Sequence, residues 1–234
     1  MSVRELAAMT AGKTVMAVGP LYSHRIVRVT VKAAAPDHPV GLKQAEEIIV
    51  AGGAGRLGRM LQTWGATVEL VGCIGQDEAG RTLSGIIHHH GIGTPCMVAS
   101  DRLQTPVTTD LFCGSNFFDA CHLAHTEFNP VRPPEHLLSD LRDIVADNVE
   151  DIDIAVTLHS DPPDPTAEAV CQLLAGRGVE VVEMPATVDR LPLGRPEPEQ
   201  KPRSLEELQW IARRVRDFGG TICFTNGCFD LLHA

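Results

Sequence analysis

The chain has 234 residues, a net charge of −10, 44% hydrophobic residues and only 4% aromatic ones. That length suits one or two domains with a real core, which aliphatic side chains must fill. The acidic balance argues against a nucleic-acid binder, no apolar run approaches a membrane span, and the first residues lack the apolar core of a secretion signal. A cytoplasmic protein with no nucleic-acid and no membrane partner is therefore expected.

Residues 1–12 read as a short amphipathic lead-in. Thr14-Val15-Met16-Ala17-Val18 is a continuous apolar run stopped by Gly19-Pro20, the pattern of a buried parallel strand. Residues 24–32 carry β-branched side chains on alternate positions and read as a half-exposed strand. Residues 33–39 form a loop with two prolines, and 43–50 return as another strand. Ala51-Gly52-Gly53-Ala54-Gly55-Arg56 follows. Paired glycines let a backbone come close to a ligand, although such turns often serve packing alone. Leu57, Met60, Leu61 and Trp64 keep helical spacing until Gly65-Ala66. Residues 67–72 read as a strand, 75–80 as a turn and 81–89 as a helix. Strand, helix, strand, helix implies an α/β fold with a parallel sheet.

Residues 108–118 read as a mixed strand region and 129–134 as a proline-rich loop. Leu137, Leu138, Leu141, Ile144 and Val145 mark one face of a helix over 135–149. Residues 152–158 read as a buried strand, with Thr166 as N-cap of a helix to residue 175, and 179–184 as a further strand. His159, Asp161 and Asp164 in the intervening loop are candidates for a metal or acid–base cluster. Against that, carboxylates between prolines usually serve as solvated turn formers. His88-His89-His90 reads as a solvated helix end rather than a metal site. The seven cysteines show neither C-x-x-C spacing nor an even count, so they are read as reduced and mostly buried. No bound metal is read from the sequence.

Residues 185–202 hold five prolines, a linker by composition. Ser204 with Glu207 forms a capping box opening a helix that Gly219-Gly220 ends. Thr221-Ile222-Cys223-Phe224 reads as a buried strand, Thr225-Asn226-Gly227 as a tight turn, and Phe229-Asp230-Leu231-Leu232-His233 as a helix entry. Strand, small-residue turn and helix N-terminus together make an anion site, because backbone N–H groups converge and the helix dipole favours negative charge.

Two stretches resemble known families. Residues 224–234 resemble the opening motif of cytidylyltransferase-like nucleotidyltransferases, with Gly227, Phe229, Asp230, Leu232 and His233 matching. They look most like the adenylyltransferase half of the bifunctional heptose-7-phosphate kinase / heptose-1-phosphate adenylyltransferase family. Residues 50–93 resemble the N-terminal signature of ribokinase-like sugar kinases through Gly52, Gly53, Gly65, Ala66, Val71, Gly72, Gly75, Asp77 and Gly80. That resemblance implies a β lid built from residues 24–50 and 106–118.

The implied organisation is a partial ribokinase-like domain over 1–190, a linker over 191–203 and the first helix and strand of a Rossmann-like nucleotidyltransferase domain over 204–234. The implied chemistry is nucleotidyl transfer from ATP, with Mg2+, to a sugar 1-phosphate in ADP-heptose-type biosynthesis. Thr225, Asn226, Gly227, Cys228, Phe229 and Asp230 would bind the nucleotide phosphates and His233 would be catalytic. Gly52, Gly53 and Arg56 would bind the sugar. The implied partners are a sugar phosphate, a nucleotide and a second copy of the chain through the lid.

There are three departures. Arg56 stands where the kinases carry Asn, and an Arg offers donors only. The stretch after the first strand, Gly19-Pro20-Leu21-Tyr22-Ser23-His24, carries no carboxylate. No G-x-G-D turn occurs in the sequence, yet phosphoryl transfer depends on such positioning elements. The 234-residue chain is therefore expected to show neither kinase nor nucleotidyltransferase turnover. The alternative reading is a non-catalytic sugar-phosphate-binding or dimerisation module.

Overall fold

The computed structural model describes residues 3–31, 42–113, 121–126, 132–159 and 164–184. In chain order the elements are α1 (Val3–Thr10), β1 (Thr14–Val18), β2 (Leu21–Val31), β3 (Leu42–Gly53), α2 (Ala54–Thr63), β4 (Thr67–Gly75), α3 (Glu78–His89), β5 (Gly93–Ser100), β6 (Val107–Cys113), β7 (Cys121–His125), α4 (Glu135–Asp147), β8 (Ile154–Leu158), α5 (Pro165–Gly176) and β9 (Glu180–Met184). The expected linker over 191–203 and nucleotidyltransferase fragment over 204–234 lie outside the described residues, as do Asp161 and the loop at 33–39.

The apolar run of β1 becomes the middle strand of a five-stranded sheet ordered β5-β4-β1-β8-β9. Each adjacent pair in it is parallel. Val15, Met16, Ala17 and Val18 are each no more than 1% exposed, because both faces of the sheet are covered. On one face Val15 and Ala17 pack with Leu6 of α1, Leu57 and Leu61 of α2, and Leu83 and Ile87 of α3. On the other, Met16 and Val18 pack with Leu141 and Val145 of α4 and Val170 and Leu174 of α5. The result is the expected α/β fold with a parallel sheet between two helical layers.

A second sheet, ordered β3-β2-β6-β7, is the expected lid. The chain enters it at the carboxyl ends of the main sheet, after β1 into β2 and after β5 into β6. β2 runs antiparallel to β3 and parallel to β6. Side-chain pairs pin its register. Arg25 Nε donates to Glu47 at 2.6 Å, and His24 lies between Thr108 Oγ1 at 2.8 Å and Asp110 at 3.0 Å.

Several boundaries differ from the sequence reading. β4 continues to Gly75, and α3 begins at Glu78, so Gly80 lies inside the helix rather than in the turn. Asp77 causes this, since its carboxylate caps α3 by accepting from the Gly80 N–H. Thr166 is not the cap of α5. Asp164 is, accepting from the N–H groups of Thr166 and Ala167, with Pro165 in the first turn where its missing N–H costs nothing. β5 and β7 are strands that the pattern did not announce.

Candidate functional site

From β1 the chain moves outward through β4 to β5, then returns to the opposite side of β1 for β8 and β9. The direction of winding therefore reverses between β1 and β8. In open α/β sheets ligands bind beyond the carboxyl ends of the strands at such a reversal. A crevice lies there. Gly19, Pro20 and Leu21 line it after β1, and Asp164 and Thr166 after β8. Leu103, Gln104 and Pro106 from the loop after β5 close its side, with Cys73 of β4. Its interior volume is 30 Å³, room for about two waters. That interior is smaller than a sugar.

Residues of the glycine-rich signature hold that loop. Asp77 accepts from the Thr105 N–H at 2.8 Å and from the Gly80 N–H at 2.8 Å. The Thr105 hydroxyl accepts from the Gly75 N–H at 2.9 Å. A Cβ at Gly75 would stand 2.5 Å from the Leu103 carbonyl oxygen, and one at Gly80 would overlap the Gly75 carbonyl oxygen. The V-G-x-x-G-x-D-x-x-G pattern thus clasps α3 to the loop bordering the crevice. Burial pushes the Asp77 carboxyl up, but the backbone and hydroxyl donors of Gly80 and Thr105 outweigh it and hold the carboxyl below its usual range.

Asp164 brings a carboxylate to the crevice from the β8 side, although the stretch after β1 carries none. It is 6% exposed. Burial raises its carboxyl, opposed by the N–H groups of Thr166 and Ala167. The Asp164 carboxylate is therefore a buried cap rather than the solvated turn former read from the sequence. The signal that could have found it is Asp-Pro-Thr, a capping residue followed by proline. Burial, with Asp164 nearby, also pushes the Cys73 thiol up to about 11. A thiol so shifted carries roughly a hundredfold less thiolate at pH 8 than one near 9. Iodoacetamide is expected to modify Cys73 about a hundredfold more slowly in the native chain than in urea, read by peptide mass spectrometry. Equal rates would contradict the buried environment.

Gly52 and Gly53 end β3 beside the crevice, and close contact explains both. A Cβ at Gly52 would overlap the Tyr22 ring. Gly53 has φ 57° and ψ −128°, and the Ala54 N–H beyond it donates to the Pro20 carbonyl at 2.9 Å. Arg56, on the first turn of α2, lines a different cavity, between α2, α3 and β3. Thr225, Asn226, Gly227, Cys228, Phe229, Asp230 and His233 lie outside the described residues.

Of the candidate loop cluster, His159 and Asp164 are described, and each is held by other partners. His159 pairs with Glu183 at 2.6 Å, both about 60% exposed, while Asp164 turns inward to cap α5. His88 and His89 end α3, and His90 caps it and contacts Arg59. Among the described residues no group of three or more His, Cys, Asp or Glu side chains converges as a metal site. The cysteines at 73, 96, 113 and 171 are free. Among the same residues, no helix is long and apolar enough to cross a membrane.

This architecture is the ribokinase-like carbohydrate-kinase fold. A carbohydrate kinase from Agrobacterium tumefaciens superimposes with a TM-score of 0.55 at 15% identity, covering 73% of this chain and 53% of that one. Ribokinase from Giardia lamblia gives 0.50 at 14%, covering 76% and 59%. At such identities the likeness is one of fold. In sequence the chain is similar to the bifunctional protein HldE. It is 33% identical to that of Paramagnetospirillum magneticum over 102 residues, 43% of this chain and 21% of that protein. It is 37% identical to that of Caulobacter vibrioides over 78 residues, 33% and 16%. The resemblance to a bifunctional family with a kinase-like domain is thus borne out. The chain spans about a fifth of the length of these curated relatives. No family model matches it.

Proposed function

We propose that the chain serves nucleotide-sugar biosynthesis of the ADP-heptose type, with its kinase-fold part binding a sugar phosphate at the carboxyl ends of β1 and β8. The crevice at the winding reversal carries this reading, because it combines a glycine turn after β1 with the buried carboxylate of Asp164. Asp164 would accept hydrogen bonds from sugar hydroxyls, and Gly52 and Gly53 would shape the wall. Arg56 is the candidate for the phosphate if lid movement joins its cavity to the crevice.

Residues 225–230 would cradle the phosphates of ATP through backbone N–H groups, with His233 donating to the same charge. ATP with Mg2+ is the co-substrate this reading requires. The described residues offer no metal cluster, so the ion would come bound to the nucleotide phosphates. With no G-x-G-D turn in its sequence, the 234-residue chain is expected to bind a sugar phosphate without turning over ATP.

A second reading is favoured by the narrowness of the crevice, 30 Å³. In it the kinase-fold part is a non-catalytic module and the lid serves homodimer formation. Titration calorimetry with heptose 7-phosphate, run beside an ATP-turnover assay, separates the two. The first reading predicts binding that Asp164→Asn weakens at least tenfold, about 1.4 kcal/mol, and no turnover. Absence of binding at millimolar sugar phosphate would favour the module. ATP turnover abolished in His233→Ala would contradict the predicted inactivity.

A further inference from the structure

The groove between α2 and α3 shares no lining residue with the strand-end crevice. Its volume is 490 Å³, within the range of about 300–1,000 Å³ typical of small-molecule sites. Its floor is aliphatic, formed by Ile49, Ala51, Ile86 and Ile92. Ile49 remains 36% exposed there, a solvent-facing apolar side chain inside a concave surface. The ionisable lining is basic: Arg56 and Arg59 from α2, His89 and His90 from the end of α3, and no carboxylate. In a chain of net charge −10, that segregation opposes the overall charge.

The basic end is held in place. Arg59 contacts the His90 ring, Gln62 donates to the His90 carbonyl at 3.1 Å, and the His89 and His90 rings meet edge to face with centroids 5.4 Å apart. These contacts bring the end of α3 against α2, with Arg59, His89 and His90 at one end of the groove.

Gly85 adds an independent observation. It sits in the interior of α3 and lines the groove. A helix-interior glycine costs about 1 kcal/mol relative to alanine. At Gly55, the other groove glycine, packing explains the choice, because a Cβ would stand 2.8 Å from Ala51 Cβ. At Gly85 a Cβ would meet nothing within 4 Å. Packing does not require glycine there, and its absence of a side chain leaves the helix backbone open to close approach from the groove.

We propose that the α2–α3 groove binds a phosphate monoester carried on an apolar body, with the hydrocarbon on the isoleucine floor and the phosphate between Arg56, Arg59 and the two histidines. Guanidinium groups suit phosphate through paired N–H donors. The groove shares Arg56 with the phosphate end of the proposed sugar site but none of the crevice residues, so Gly85→Trp, which touches no crevice residue, keeps failure of this proposal distinguishable from failure of that reading.

The test is titration of the full 234-residue chain with 1-naphthyl phosphate, and separately with 1-naphthol and with inorganic phosphate. The expected result is saturable binding of naphthyl phosphate at least tenfold tighter than either part alone. Gly85→Trp, at a lining position whose Cβ would meet nothing within 4 Å, and Arg56→Gln are each expected to weaken it at least tenfold. Thermal unfolding of both variants serves as the check of fold. Equal affinity for naphthol, no binding of naphthyl phosphate at millimolar concentration, or undiminished binding in either folded variant would overturn the proposal.

Discussion

Replacing Gly53 with alanine is expected to destabilise the chain by about 4 kcal/mol, combining backbone strain with a steric overlap. The backbone there has φ 57° and ψ −128°, a region that residues with a Cβ avoid. The added methyl would also overlap the Pro20 carbonyl oxygen, which accepts from the Ala54 N–H. Moving either group pulls α2 away from the end of β1. Such a loss is a large fraction of the roughly 5–15 kcal/mol that holds a typical domain. Urea denaturation followed by circular dichroism measures it. A loss below about 1 kcal/mol, well under the strain expected of that backbone, would show that the chain reversal tolerates a side chain. The glycine would then be explained by ligand approach alone.

Asp77→Ala is expected to cost about 2–3 kcal/mol, from a lost helix cap and a lost tertiary hydrogen bond. Both acceptor oxygens work, one toward Gly80 and one toward Thr105. The variant leaves the Thr105 N–H without its acceptor and frees the loop beside the crevice. The pH dependence has a definite sign. The Asp77 carboxyl is held below its usual range in the folded state. Its contribution is therefore present above the unfolded value, about 3.9, and lost as pH falls through the lower folded value. Asp164 works in the opposite sense. Its folded value is raised by burial, so its contribution declines as pH rises from the unfolded value through the folded one. Asp77→Asn should flatten the acid limb of a stability–pH curve, whereas Asp164→Asn should steepen it. Identical acid limbs for Asp77→Asn and the unsubstituted chain would contradict the clasp.

The parts of the fold that were legible in the sequence are those whose cause is local. The run of β1 and the stripe of Leu137, Leu138, Leu141 and Val145 carry their burial pattern in their own order. β5 does not, because Gly93 and Pro95 break the pattern. Proline is tolerated there because β5 is an edge strand. β7, Cys121-His122-Leu123-Ala124-His125, is too polar to announce a strand, and its pairing with β6 defines it.

The site was legible as a motif but not as a mechanism. Asp77 stood out by its spacing from Gly75 and Gly80, whereas its partner Thr105 lies 28 residues further on. Asp164 was visible as one carboxylate among prolines. Its burial at the mouth of β8 depends on the winding of the sheet, which no local pattern carries. Arg56 was paired in sequence with Gly52 and Gly53, but on the first turn of α2 it lines the cavity that His89 and His90 also line.

Hydrogen–deuterium exchange of the 234-residue chain, with and without heptose 7-phosphate, tests the proposed sugar site most directly. Binding at the winding reversal should slow exchange at residues 19–21, 103–106 and 164–167, where three separate loops meet. Slowing confined to other segments, or none at saturating ligand, would contradict the assignment of the sugar site to the carboxyl ends of β1 and β8.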